Sequence, residues 1–141
     1  MREINQITGE IVNAAYHLHN QLGPGLMESA YRLVLAHDLG TKGLQVEQEK
    51  QISFEYEGVS IVNGFRVDLL VEERVVVELK SLEKLAPVHT RQILTYLRLL
   101  DLPVGLLINF GAARLNDGLH RIVNDRSSLA GGTIVTGRRS R

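Results

Sequence analysis

The chain has 141 residues, 44% of them hydrophobic, which is enough for one sizeable core and argues for one domain. It has no cysteine, which excludes a disulfide framework, a thiolate zinc site and a cysteine nucleophile; any bound metal is expected on oxygen or imidazole. The 16 basic and 16 acidic residues cancel, but Arg126, Arg138, Arg139 and Arg141 fall in the last sixteen residues, leaving 12 basic against 16 acidic in residues 1–125, a formal charge of −4. That distribution counts against a simple nucleic-acid-binding domain, whose affinity rests on cationic neutralisation of phosphates.

The opening residues lack the apolar core of a signal peptide, and no apolar run approaches the roughly 20 residues of a membrane span. The expectation is a soluble, cytoplasmic protein with no membrane association. From Ile4 to Leu22 the residues Ile4, Ile7, Ile11, Ala14, Leu18 and Leu22 recur at three- and four-residue steps and predict an amphipathic helix. Gly23-Pro24-Gly25 breaks it. A second helical pattern follows through Leu26, Ala30, Leu33 and Val34 and ends near Gly40 to Gly43.

Between Gln51 and Lys80 the pattern becomes alternating: Ile52, Phe54, Tyr56, then Phe65, Val67, Leu69, Val71, then Val75, Val77, Leu79. These are predicted strands, with Glu57-Gly58 and Asn63-Gly64 read as turns and Glu72-Glu73-Arg74 as a short polar break. After Pro87 helical spacing returns, with Ile93, Leu97 and Leu100 on one face, and Pro103 closes that helix. The run from Val104 to Phe110 is apolar on both faces, as in a strand buried between layers. A helix separates it from the Val75–Lys80 strand, which predicts a β-α-β crossover with parallel pairing. Leu119 to Val123 is a short strand or helical turn. The expected domain spans residues 1–124, and 125–141 reads as a disordered, arginine-containing tail.

Register decides where the chemistry falls, because a one-residue slip moves every side chain to the other face. With a three-residue loop at Glu72–Arg74, Val71 lies opposite Val75, Leu69 opposite Val77 and Val67 opposite Leu79 on one apolar face. Asp68 then falls opposite Glu78, and Arg66 opposite Lys80, on the other. Two carboxylates directly opposed across a strand pair normally destabilise a sheet. A hard divalent cation offsets that repulsion. Diagonal pairs, Asp68 with Lys80 and Arg66 with Glu78, offset it equally well as an ordinary charge network, and the four residues alone do not choose.

Asp68, followed after nine residues by Glu78-Leu79-Lys80, resembles the D...(D/E)XK signature of the PD-(D/E)XK nuclease superfamily. Gly25-Leu-Met-Glu28-Ser-Ala-Tyr31 looks like the motif that names the GxxExxY family, and Gln92-x-x-x-Tyr96 resembles the Q-x-x-x-Y element of RecB-like nucleases. Val67 stands where the name of the superfamily has proline. The Glu-x-Lys element alone is a weak signal; its combination with the other two is much stronger.

The resemblance implies an α/β (α+β, mixed-sheet) nuclease-like core: two N-terminal helices, a hairpin or meander, a crossover helix and a buried parallel strand. It further implies that Asp68, Glu78 and the backbone carbonyl of Leu79 ligate Mg²⁺ or Mn²⁺, with Glu28 a further metal or water ligand, and that Lys80 positions water or stabilises transition-state charge. Glu28 is alternatively a helix-start acid paired with Arg32. Tyr31 is either a buried, hydroxyl-bonded tyrosine or a substrate contact. On the third helix His89, Gln92 and Tyr96 form a polar stripe that the resemblance turns toward the site. His89 is either a phosphate contact or an inert helix-start residue.

The implied function is metal-dependent hydrolysis of DNA or RNA phosphodiesters. The competing reading is a catalytically silent nuclease-fold module that binds or scaffolds, as a homodimer or with another protein partner.

Overall fold

In the computed structural model the described residues are 2–124 and 134–136. Their elements run α1 (Ile4–Leu22), α2 (Glu28–Thr41), β1 (Val46–Tyr56), β2 (Val59–Val71), β3 (Val75–Lys80), α3 (Pro87–Leu100), β4 (Val104–Asn109), a 3-10 turn (Leu115–Gly118), β5 (Leu119–Val123) and β6 (Ile134–Thr136). The strands form one mixed sheet in the order β5-β4-β3-β2-β1-β6, antiparallel except for the parallel β3–β4 pair across the α3 crossover. This is the α/β architecture expected of a PD-(D/E)XK nuclease-like core.

Alternation along the central strands splits the core in two. Val75, Val77 and Leu79 of β3, with Val104, Leu106 and Ile108 of β4, pack against Ile7, Ile11, Ala14 and Leu18 of α1 and Tyr31, Leu35 and Leu39 of α2. Val76 and Leu107 point the other way, onto Ile93, Leu97 and Leu100 of α3. The sheet is thus sandwiched, α1 and α2 on one face and α3 on the other, and each layer buries an apolar stripe that neither helix nor sheet could hide alone.

Several expectations are corrected. The buried face of α2 is Tyr31, Leu35, Ala36 and Leu39, and Leu33 and Val34 are exposed, because the helix starts at Glu28 and its phase follows Tyr31 into the core. β1 begins at Val46, where the polar Glu47-Gln48-Glu49-Lys50 masks any alternation. Glu57-Gly58 does form the β1–β2 turn, with φ of 49° and 84° and Tyr56 paired to Val59. Asn63-Gly64 does not turn the chain. It lies inside β2, with Asn63 at φ 50°, where the β1–β2 register shifts between Ile52 and Phe54. A Cβ on Gly64 would sit 2.6 Å from the Phe54 ring, so only glycine admits that ring over the backbone. Finally, the expected tail contains a strand, since Ile134–Thr136 pairs with Phe54–Tyr56 of β1; its remaining residues lie outside those described. Among the described residues, no helix is long and apolar enough to cross a membrane.

Candidate active site at the open end of the hairpin

The β2–β3 hairpin keeps the register its apolar residues dictate only as far as Leu69↔Val77, after Val71↔Val75 and Leu70↔Val76. Beyond that pair, carboxylates take over the ladder's work. The Asp68 N–H donates to Glu78 Oε2 at 2.8 Å, and the Leu79 N–H donates to Asp68 Oδ2 at 2.8 Å. Each strand therefore hands a backbone donor to the other strand's acid. The phase of β2 breaks at the same point. Val67 packs on the α3 side with Ile52, whereas Leu69 packs on the α1–α2 side, so Val67 does not share a face with Leu69 and Leu79 as its alternation predicts. Glu49, between the paired positions Gln48↔Leu69 and Lys50↔Val67, takes φ 49°, so β1 yields opposite Asp68.

Asp68 and Glu78 are buried, at 7% and 5% exposure. Burial, then the neighbouring Asp68 charge, pushes Glu78 up from 4.5 to about 8, while the Asp68 N–H and the Lys80 ammonium pull the other way. Burial thus favours the protonated form of Glu78. The diagonal charge network is absent. Arg66 pairs with Glu49 at 2.9 Å, Glu49 also takes Arg32 at 3.1 Å, and no ion pair within 4.0 Å forms to Asp68, Glu78 or Lys80 among the described residues.

These groups line a cleft of about 440 Å³, together with Lys80, Glu28, Arg66, Gln92 and Tyr96. Gln51, Asn63 and Phe65 from the β1–β2 arm complete its wall. Glu28 is exposed at the first turn of α2 and is near enough to raise Glu78 slightly. It is not paired with Arg32, which turns to Glu49 and Gln48. Tyr96 stacks on Phe65 at 4.3 Å, and burial, then the charges of Glu78 and Asp68, raise its phenol.

Two residues fall outside the cleft. Tyr31 is fully buried against Phe110, rings 4.4 Å apart; its hydroxyl donates to the Gly23 carbonyl and accepts the Leu26 N–H, pinning the α1–α2 connection. A substrate cannot reach it. His89 Nδ1 accepts the Ala86 N–H at 3.0 Å and so caps the start of α3.

The frame around Lys80 rests on residues with no motif to mark them. The Lys80 carbonyl accepts the Phe110 N–H, the Ser81 hydroxyl donates to the Leu26 carbonyl, and buried Asn109 exchanges two hydrogen bonds with the Leu82 backbone. These bonds tie the end of β3 to β4 and to the loop that presents Glu28. The partners are 27 and 55 residues away in sequence, so no local signal could have found them.

Among the described residues, no three His, Cys, Asp or Glu side chains converge into a cage. The second oxygens of Asp68 and Glu78 nevertheless have no hydrogen bond among those residues, and neither acid has an ion pair within 4.0 Å there. Two carboxylates with free oxygens fit a hard cation that keeps several waters and takes substrate phosphate, and do not fit a dedicated all-protein site.

Comparison with known proteins agrees with the geometry. Residues 5–122 match the family model of the PD-(D/E)XK nuclease superfamily. No curated protein and no solved structure matches the chain. With the match covering most of its length and the fold to go with it, the chain belongs to the PD-(D/E)XK nuclease superfamily.

Proposed function

We propose that the protein is a divalent-metal-dependent nuclease, and that Asp68, Glu78 and the Leu79 carbonyl hold Mg²⁺ or Mn²⁺. The observation that carries this reading is the buried, backbone-anchored acid pair, which makes no ion pair within 4.0 Å among the described residues. A bound divalent ion would supply Lewis acidity toward a phosphoryl oxygen and would ease loss of a proton from the water that attacks phosphorus. Asp68 and Glu78 orient that ion, because each carboxylate is fixed by a hydrogen bond to the opposite strand. Glu78 must lose its proton to do so, which ties ion binding to pH. Lys80, which lines the cleft and makes no ion pair within 4.0 Å among the described residues, meets the negative charge that builds on the phosphate in the transition state.

Glu28 acts through an intervening water, consistent with its exposed position at the cleft rim. The Gly25–Tyr31 segment supports the finer GxxExxY assignment: Tyr31 locks the loop and Glu28 is delivered at the helix start. Gln92 and Tyr96 orient substrate from α3. Residues 1–124 act as one catalytic unit, on either DNA or RNA.

A panel of labelled single- and double-stranded DNA and RNA, incubated with Mg²⁺ or Mn²⁺, tests the reading. Cleavage by the parent that disappears in Lys80→Ala is expected. Equal cleavage by both proteins would expose a contaminant and sink it. Melting with and without each ion separates binding from chemistry, since a ligand of the folded state raises the midpoint. A parent that gains stability but cleaves nothing is a silent metal-binding module.

A further inference from the structure

The cleft has two halves of different chemistry. One holds Asp68, Glu78 and Lys80. The other, flanked by Arg66, is made of rings and amides. Phe65 and Tyr96 stack there with ring planes 12° apart, and the Phe54 ring is tilted against Phe65 at 6.0 Å. Phe65 and Tyr96 line the cleft and are each only partly buried. Around the Phe65–Tyr96 pair stand the exposed amides of Gln51, Asn63 and Gln92, whose side chains have no hydrogen-bond partner among the described residues.

Aromatic faces stack on flat π-systems whatever their identity, and primary amides match donor–acceptor edges. An ionic half beside an aromatic and amide half has the chemistry of a nucleotide, phosphate on one side and base on the other. In a duplex, neighbours cover both faces of each base and pairing occupies its inner edge. Only an unpaired base offers both. We propose that Phe65 and Tyr96, with Gln51, Asn63 and Gln92 at their edge, form a nucleobase subsite, so that the protein acts on unpaired strands. Recognition there is tolerant of sequence, since every base has a π-face. The subsite rests on the nuclease reading for its neighbouring phosphate, but its occupancy is measurable without cleavage.

The test uses Lys80→Ala protein in Mg²⁺ with short single-stranded DNA and RNA containing 2-aminopurine, and with the corresponding duplexes. Expected are single-strand affinity at least about tenfold above duplex affinity, and quenching of the 2-aminopurine as it stacks. Phe65→Leu, which keeps apolar bulk and loses the ring, lowers single-strand affinity about tenfold and removes the quenching, with duplex affinity unchanged. Gln51→Ala, at an exposed position that leaves the fold intact, lowers single-strand affinity less. Preference for either sugar supports the subsite equally. Equal affinity for single strands and duplexes, or parent-like binding by Phe65→Leu and Gln51→Ala, overturns it. Single-strand cleavage unaffected by Phe65→Leu removes the subsite and keeps the nuclease. Stacking without cleavage in the Lys80 parent removes the nuclease and keeps the subsite.

Discussion

At its loop end the β2–β3 hairpin is an ordinary antiparallel ladder, with Leu69, Leu70, Val71, Val75, Val76 and Val77 wholly buried and paired in order. One residue further along, the same two strands stop pairing backbone to backbone and hold each other through Asp68 and Glu78. The loop end buries hydrocarbon and gains stability from it. The open end buries two acids that make no ion pair within 4.0 Å among the described residues, which costs stability, and the surrounding clamps at Asn109, Ser81 and Phe110 keep it in place. A single hairpin thus carries both the fold's anchor and its candidate chemistry, and the two ends should respond oppositely to mutation.

The largest separation is expected from Glu78→Gln, close in shape and without the ionisable group. Nuclease activity on labelled oligonucleotides should fall at least about a hundredfold, as when a transition-state-stabilising group is removed. The metal-free melting midpoint should hold or rise, because burial already disfavours the charged form of the acid it replaces. Parent-like activity in this variant would falsify the assignment of Glu78.

At the loop end, Leu69→Ala should cost about 2–5 kcal/mol in urea unfolding, the usual range for a truncated core leucine. Should it cost no more than Asp68→Asn, the contrast between the two ends fails.

A third measurement uses pH. Glu78 is ordinarily near 4.5 and is pushed to about 8 in the folded protein, so between these values the folded state keeps a proton that the unfolded chain has released. Metal-free stability from this group is therefore fully present below about 4.5 and is lost as the pH rises through about 8. Denaturant midpoints of the parent minus those of Glu78→Gln should fall over that window, and Mg²⁺ should reverse the trend at its alkaline end by displacing the proton. A flat difference would show that the carboxyl is not buried as described.

The smallest effect is expected at the Arg32–Glu49–Arg66 bridge. Glu49 is 41% exposed at its side chain, so Glu49→Gln should change unfolding free energy by less than about 1 kcal/mol. A larger loss would mark the strained turn of β1 at Glu49 as part of the open end's support.

Much of this was legible in the linear pattern. Helix α1 spans Ile4–Leu22 as its periodicity predicts, the β3–α3–β4 crossover is parallel, and the hairpin register holds from Val71↔Val75 to Leu69↔Val77. In each case apolar spacing decides, and burial enforces it. The misreadings occur where a single contact outweighs the pattern. Asn63-Gly64 has turn composition, but the Phe54 ring needs the space above Gly64 and holds it in a bulged strand. Val67 fits the alternation and leaves it, because the carboxylate links at Asp68 shift the strand's phase.

Among the candidate site residues, the cleft gathers Asp68, Glu78, Lys80, Glu28, Gln92 and Tyr96, and leaves Tyr31 and His89 to tie loops and caps. Phe65, Gln51 and Asn63 escaped notice because nothing in a strand's composition tells which exposed residues meet a helix from elsewhere in the chain. By itself the sequence determined the family signature, the order of helices and strands and the opposition of two acids, since these depend on residue type and spacing along one chain. Only the tertiary structure decided that the acids replace the ladder, that Arg66 turns away to Glu49, and that an aromatic wall adjoins them. Those outcomes depend on hydrogen-bond and packing partners brought together from distant segments, where competition among contacts, not local preference, sets the result.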